Sequence, residues 1–352
     1  MSAGYTEKIA VDAMGADQGP GEVVAAVRLA LLRGDAPGGF EVVGHPDIVP
    51  PILRQMGLAD HALVSFFPAS EVIGMKEKPV HSLKTKRDAS LVKAIERVQQ
   101  GACGAAVSCG NTGALMACAT LRLRPIEGIA KPALATVWPG KDTHFVVLDS
   151  GANPLCKPEN LVHYAILGSA YAHVALGRKR PRVGLLSMSA GERCGTPLTN
   201  AAHEALRQLG GQIHYLGLLE GSRVFEDAVD VVVTDGFTGN VLLKTFQSFW
   251  GRLKSVAREE ARLHPGRMLG AFLLRGAQRQ ARQRVDIHRH GGAPLLGVRG
   301  NVIKAHGSSG RDAIAGSIQT AARLAGSDFQ GRLSAEIARA NASLQTLRDR
   351  NS

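Results

Sequence analysis

Most of the signatures that identify an enzyme quickly are missing from this 352-residue chain. It has no GxxxxGK[ST], which disfavours a P-loop nucleotide site. It has no GxGxxG, which weakens a dinucleotide reading, and neither a GxSxG elbow nor an HExxH zinc motif. Cys103, Cys109, Cys118, Cys156 and Cys194 form no CxxC pair. An odd number of cysteines at irregular spacing argues for reduced thiols, not a disulfide framework or zinc site. His288 and His290 make an isolated HxH, so neither a metal nor another cofactor is expected. Aromatics are scarce at 5%, which argues against a stacking platform for nucleic acid. No stretch approaches the ~20 apolar residues that span a bilayer. The opening "MSAGYTEKIAVDAMG" lacks the apolar centre of a signal peptide, so a soluble, cytoplasmic protein is expected.

What is abundant is glycine, 41 residues, within a 45% hydrophobic composition that allows a large core. Length permits two domains, but single α/β domains reach this size. Short β-rich runs ("KIAVDA", "FEVVG", "ALVSFF", "AAVSCG", "HFVVLDS", "RVGLLSMS", "QIHYLG", "VDVVVTDG") alternate with longer helical patterns such as "SLVKAIERVQQG" and "PENLVHYAILGSAYAHVALG". That alternation predicts an α/β fold with a mostly parallel sheet covered on both faces. Ligands of such sheets gather where strand C-termini meet helix N-termini.

The polar motifs fall at those junctions. "VDAMGADQGP" (11–20) follows the first strand and reads as a tight βα turn. In "VSCGNTGALMA" (107–117) a strand ends at Ser108 and a helix starts near Thr112. Glycines flank Asn111 and Thr112, bringing backbone N–H groups to an open helix N-terminus, which attracts anions; Thr112 as a plain N-cap is the alternative. Cys109 has no adjacent histidine and is a poor candidate nucleophile. "LDSGANPLCKPENL" (148–161) repeats the design, with Asn153 and Lys157 as anion-binding candidates, Lys157 equally suiting an exposed position. "SMSAGERCGTPLT" (187–199) sets Glu192 and Arg193 in a glycine-framed loop, where Arg could grip phosphate through two donors. "DGFTGNVLLK" (235–244) follows a valine run, and 291–313 offers His306, Ser308 and Ser309 before another helix. Together these loops suggest a phosphate or carboxylate ligand held by backbone donors and single cations.

The charge is +12, with ten Lys and Arg against three acids between Arg252 and Arg289. Leu242, Phe246, Phe249, Leu253 and Val256 recur at helical spacing and predict one apolar face. Further on, Met268, Leu269, Phe272, Leu273 and Leu274 lie between arginines. This helical excursion, about 245–290, suits an arm packed on another subunit, an amphipathic contact with an anionic membrane, or a solvated charged face. Two more helical stretches, roughly 309–324 and 328–348, end the chain.

Taken in order, "IAVDAMGADQGP", "VSCGNTGALMA", "LDSGANPLCKPENL", "VVVTDGFTGNVLLKT" and "GGAPLLGVRG…HGSS" resemble the acyl-carrier-protein:phosphate acyltransferase family of bacterial phospholipid synthesis, PlsX. The resemblance spans about 9–318. It implies a three-layer α/β/α sandwich related to phosphate acetyltransferases and isocitrate-dehydrogenase-like enzymes. Residues 1–330 would form one catalytic domain bearing the arm, and 331–352 a C-terminal helix. It implies a homodimer in which inorganic phosphate attacks the thioester of a long-chain acyl carrier protein. The acyl phosphate would pass to a membrane glycerol-3-phosphate acyltransferase, PlsY. On this reading Asn240 donates to phosphate or to the thioester oxygen, Asp235 orients a neighbouring donor, and Glu192, Arg193 and His306 complete the catalytic set. Asn111, Thr112, Asn153, Lys157, Ser308 and Ser309 would hold phosphate. The chain departs from the pattern at Cys194, where lysine is common, so Arg193 would supply the charge. It also departs at Leu155, where aspartate is frequent, at Cys109, usually alanine or glycine, and at "IHRHGGAPLLG", where a tyrosine-rich lead is usual. The rival readings are a short-chain phosphate acetyltransferase using acyl-coenzyme A and a basic anion-binding module; nucleic acid is disfavoured because most net charge sits in one arm.

Overall fold

The computed structural model describes residues 7–189, 191, 195–262, 276 and 291–351. Among these residues, twelve strands build two sheets. The first runs β3 (Val64–Pro68), β2 (Phe40–Gly44), β1 (Lys8–Asp12), β4 (Cys103–Ser108), β12 (Asn301–Lys304), β11 (Ala293–Leu296), β5 (Ala133–Leu134). The second runs β6 (Thr136–Pro139), β7 (His144–Leu148), β10 (Val231–Val233), β8 (Arg182–Ser187), β9 (His214–Glu220). Pairing is parallel except at β11, which runs antiparallel to β12 and β5, and at β6 against β7. The α/β class and the helices on both faces follow the expectation; the division into two sheets goes beyond it.

Strand periodicity explains the layers. In β1, Ile9 and Val11 enter one hydrophobic cluster and Ala10 another, because successive side chains point to opposite faces. The first cluster holds α1 (Pro20–Arg33) and α9 (Arg311–Ala325); the second holds α4 (Ser90–Gln99) and α5 (Thr112–Arg122). The second sheet repeats the scheme. Val146, Leu148, Val231 and Val233 face α6 (Pro158–Leu176) and α7 (Pro197–Gln208). Phe145, Val147 and Val232 face Trp138 and the start of α8 (Gly236–Arg262). The cluster containing Ile9 also contains Leu148, Leu185 and Ile303, so one core joins the sheets. Helix α10 (Phe329–Asn351) adds Phe329, Leu333 and Ile337 to it, with the Phe329 ring edge-on to Tyr171 at 6.4 Å. Two short helices, α2 (Val49–Gln55) and α3 (Pro79–Thr85), and two 3-10 turns at Gly210–Gln212 and Gly221–Arg223 complete the described elements.

The sequence predicts a single apolar face along the start of the arm; the structure divides it. Leu242 and Phe246 pack under the second sheet, Phe246 lying 5.5 Å from Trp138. Phe249 and Leu253 are 66% and 46% exposed, and Phe237 and Val241 continue that outer strip at four-residue spacing. Of the arm, 245–262 belongs to α8; 263–275 and 277–290 lie outside the described residues. No helix among the described residues is long and apolar enough to cross a membrane.

Candidate active site

The C-terminal ends of β1, β4, β7, β10 and β12 converge on a cavity of about 300 Å³. Its lining includes Thr112, Ser150, Asn240, Lys244, Lys304, His306 and Ser309, with Met75, Leu134 and Leu243 as its apolar part.

Two buried aspartates shape it. Asp12 ends β1, accepts from the Ser108 hydroxyl at 2.5 Å and from the Met14 N–H at 3.1 Å, and is pushed up by burial. Gly15 is needed beside it, because any side chain there would run into the Gly110 backbone. Asp149 follows β7 directly, with no exposure at all. Its carboxylate accepts N–H groups from Leu134 (3.1 Å), Gly151 (3.1 Å), Ala152 (2.9 Å) and Asn153 (2.7 Å), which winds the 149–153 loop around one charge. Burial again pushes its carboxyl up, and the donors act in the opposite sense.

"DGFTGN" is the first turn of α8. Asp235 caps it, accepting from the Thr238 N–H at 2.9 Å and its hydroxyl at 2.7 Å. The glycines let this turn press against the aspartate loop: a Cβ on Gly236 would lie 2.7 Å from Asn153 backbone atoms, and one on Gly239 would overlap the Asp149 carbonyl. Docked so, α8 presents Asn240, Leu243, Lys244 and Gln247 to the cavity at helical spacing. The Asn240 amide has no hydrogen-bond partner among the described residues, so it is available to a ligand.

Four of the predicted site residues therefore meet at the cavity: Thr112, Asn240, His306 and Ser309. Among the others, Asn111, Asn153 and Asp235 serve the frame. Asn111, not Thr112, caps α5, accepting from the Ala114 N–H at 3.0 Å, and its amide donates to the carbonyls of Gly74, Met75 and Glu77. Asn153 donates to the Pro132 carbonyl at 2.6 Å and to Asp149. Lys157 is exposed at the head of α6, its N–H held by Asn160. Ser308 meets the His306 ring at 2.8 Å, and its carbonyl accepts from Gln18. Asp235 is committed to Thr238. Glu192 and Arg193 lie outside the described residues.

Sequence reasoning passed over Lys304. Its amine lies at the cavity, donating to the carbonyls of Cys109, at 2.9 Å, and Ala305. Ammonium carries three donors, so one N–H remains for a ligand. Burial pulls this amine down to about 8, with Asp12 and Asp17 acting in the opposite direction. The structure shows what the sequence did not: this lysine ends a buried strand, a position such a side chain rarely occupies without a task. Thr136 and Ser150 were also missed; their hydroxyls meet at 2.5 Å in the cavity wall. Cys109 is no nucleophile, since burial pushes its thiol up to about 12. Two lysines, a histidine, hydroxyls and the N-terminus of α5 around one small cavity suit an oxyanion.

The profile of the family described as "Fatty acid synthesis protein" matches residues 7–332. A phosphate acyltransferase from Heliobacterium modesticaldum is 40% identical over 319 residues, 89% of this chain and 92% of its own. One from Desulfitobacterium hafniense is 39% identical over 335 residues, 94% and 98% of the two chains. Among solved structures, a phosphotransacetylase from Streptococcus pyogenes superposes with a TM-score of 0.60 at 19% identity, covering 90% of this chain and 93% of that one. A branched-chain phosphotransacylase from Enterococcus faecalis superposes at 0.57 with 14% identity, covering 90% and 99%. At such identities the superpositions speak for the fold alone; the sequence matches carry the family. The chain belongs to the fatty acid synthesis protein family.

Proposed function

We propose that this chain is a phosphate acyltransferase that moves a long-chain fatty acyl group from acyl carrier protein to inorganic phosphate, releasing acyl phosphate for phospholipid synthesis. The observation that carries the reading is the polar cavity in which Lys304, Lys244, His306, Thr112, Ser309 and Asn240 surround space for an oxyanion. Phosphate is itself the nucleophile. Its oxygen attacks the thioester carbon, the C–S bond breaks, and sulfur leaves as a thiolate that takes up a proton. A thiol with pKa near ~8.5 leaves without strong acid catalysis. What the protein must supply is positioning and a donor for the tetrahedral oxyanion, one well-aimed donor being worth about 3 kcal/mol. Lys304 and Ser309 hold phosphate at the floor, and Asn240 donates from α8 to the thioester oxygen.

The same reading makes the chain a homodimer joined in part through the exposed strip of α8. It places the enzyme in the cytoplasm beside the membrane, where the basic arm meets anionic lipid or PlsY and hands over an apolar product. The test is to incubate purified protein with palmitoyl carrier protein and phosphate, with palmitoyl-coenzyme A in parallel, and to measure acyl phosphate and free thiol. Product from the carrier donor is expected. Product from coenzyme A alone would move the assignment to a phosphotransacetylase-like activity.

A further inference from the structure

The segment 74–78 forms one lip of the cavity, with Met75 in the lining. It is pinned from below by the Asn111 amide, which donates to three of its carbonyls at 3.1–3.2 Å. It is pinned from the side by Glu77, which accepts from Lys86 at 2.6 Å and the Gly74 N–H at 2.8 Å; Lys86 draws that carboxyl down to about 2. The lip and α3 behind it are therefore held in place, and their cations point outward. Lys76, Lys78, Lys84 and Arg87 are exposed, and none forms an ion pair among the described residues, whereas the neighbouring acids Glu77 and Asp88 are matched to Lys86 and Lys93.

Beside these cations lies a depression of about 510 Å³ floored by Leu83, Val92, Cys118 and Leu121, with Lys84, Arg87 and Arg122 at its margin. Leu121 is 68% exposed here, and Val80, at the start of α3, is 60% exposed. An apolar floor inside a cationic rim is the complement of an amphipathic, acidic helix. Its distance from the cavity is set by α5, which runs from Thr112 in the cavity wall to Leu121. Those nine residue steps span about 14 Å at ~1.5 Å rise. A donor seated in the depression would need a flexible arm to bring its thioester to Asn240, and a carrier protein with a pantetheine-type arm has one.

We infer that the lip and α3, residues 74–87, together with the end of α5, form the docking face for the acidic carrier protein that delivers the acyl group. The inference rests on the carrier-dependent activity proposed above. Two variants test it. Lys76→Gln/Lys78→Gln/Lys84→Gln/Arg87→Gln removes the face. Lys179→Gln/Arg180→Gln/Arg332→Gln/Arg339→Gln removes four charges from a second basic cleft, between α6 and α10. Both leave the chain at +8 from its present +12. Steady-state kinetics with palmitoyl carrier protein should show kcat/KM falling at least tenfold in the first variant, through KM, with kcat and the KM for phosphate unchanged. Its salt dependence should flatten, because electrostatic steering accelerates association by ~10-fold or more. The second variant should stay within twofold of wild type. Lys84→Gln/Arg87→Gln alone should show a smaller loss in the same direction, which separates docking from misfolding of the quadruple variant. An unchanged carrier KM, an equal loss in the control variant, a loss confined to kcat, or an equal loss with palmitoyl-coenzyme A would each overturn the docking face. Wild-type protein that makes no acyl phosphate from the carrier donor overturns the underlying activity, and the docking face falls with it.

Discussion

At the scale of single residues, the cavity is built from charges that the core would ordinarily exclude. Asp149 is tolerated because four backbone N–H groups surround it, and Lys304 because two carbonyls accept from it. Asn240 differs: it lines the cavity, and its side chain makes no hydrogen bond among the described residues. Asn240→Ala should therefore lower kcat about 100-fold, the loss typical of one oxyanion donor, with an unchanged melting temperature. Turnover at the wild-type level would remove Asn240 from the mechanism. Lys304 makes a prediction in pH. Its amine titrates near 8, so it is a cation below that value and neutral above it. The KM for phosphate should rise as pH climbs through about 8. In Lys304→Met it should be at least tenfold higher at neutral pH, the size of one charge-assisted hydrogen bond of about 1.5–3 kcal/mol, and should lose that inflection. The place of Asn240 at the cavity was readable from "DGFTGN"; that of Lys304 was not, because a lysine closing "NVIK" carries no sign of whether it points at solvent or into the core.

At the scale of elements, helix α8 decides whether the cavity has a wall. Its first turn fits against the 149–153 loop only because Gly236 and Gly239 lack side chains. Gly239→Ala should destabilise the protein by about 1–3 kcal/mol through overpacking and lower its melting temperature by several degrees. Gly251→Ala, further along the same helix where nothing lies within 4 Å, should be neutral or slightly stabilising. A drop of equal size in both would mean that the close approach to Asp149 is not what requires glycine at 239. The eight β-rich runs read from the sequence all became strands, because each is a run of apolar or alternating residues ending at Gly, Ser or Asp or, in "ALVSFF", at Pro68. Four strands escaped. Two residues of β5 carry no period, while β6 and β11 are four-residue antiparallel strands that each contain proline. β12, "NVIK", sat unread inside a motif. Helices α2 and α3 are seven residues each and begin around prolines, too short for a 3.6-residue repeat to register.

At the scale of the whole molecule, two features look outward: the α8 strip of Phe237, Val241, Phe249 and Leu253, and the uneven positive charge. If the strip joins two copies, Phe249→Glu/Leu253→Glu should convert a dimer to a monomer in light scattering while leaving the far-ultraviolet circular dichroism unchanged. A dimeric variant would place the interface elsewhere. The sequence by itself determined the α/β class, the order of most elements and the family, since these rest on local period, on glycines at turns and on motifs in a set order. It also held four of the residues that meet at the cavity. Only the tertiary structure decided that Asn111, Asn153 and Asp235 brace the frame while Thr112, Asn240, His306 and Ser309 line the cavity. Polar residues in a glycine-rich loop look alike in one dimension. Which of them caps a helix and which is left unsatisfied depends on carbonyls and N–H groups up to 37 positions away, as between Asn111 and Gly74.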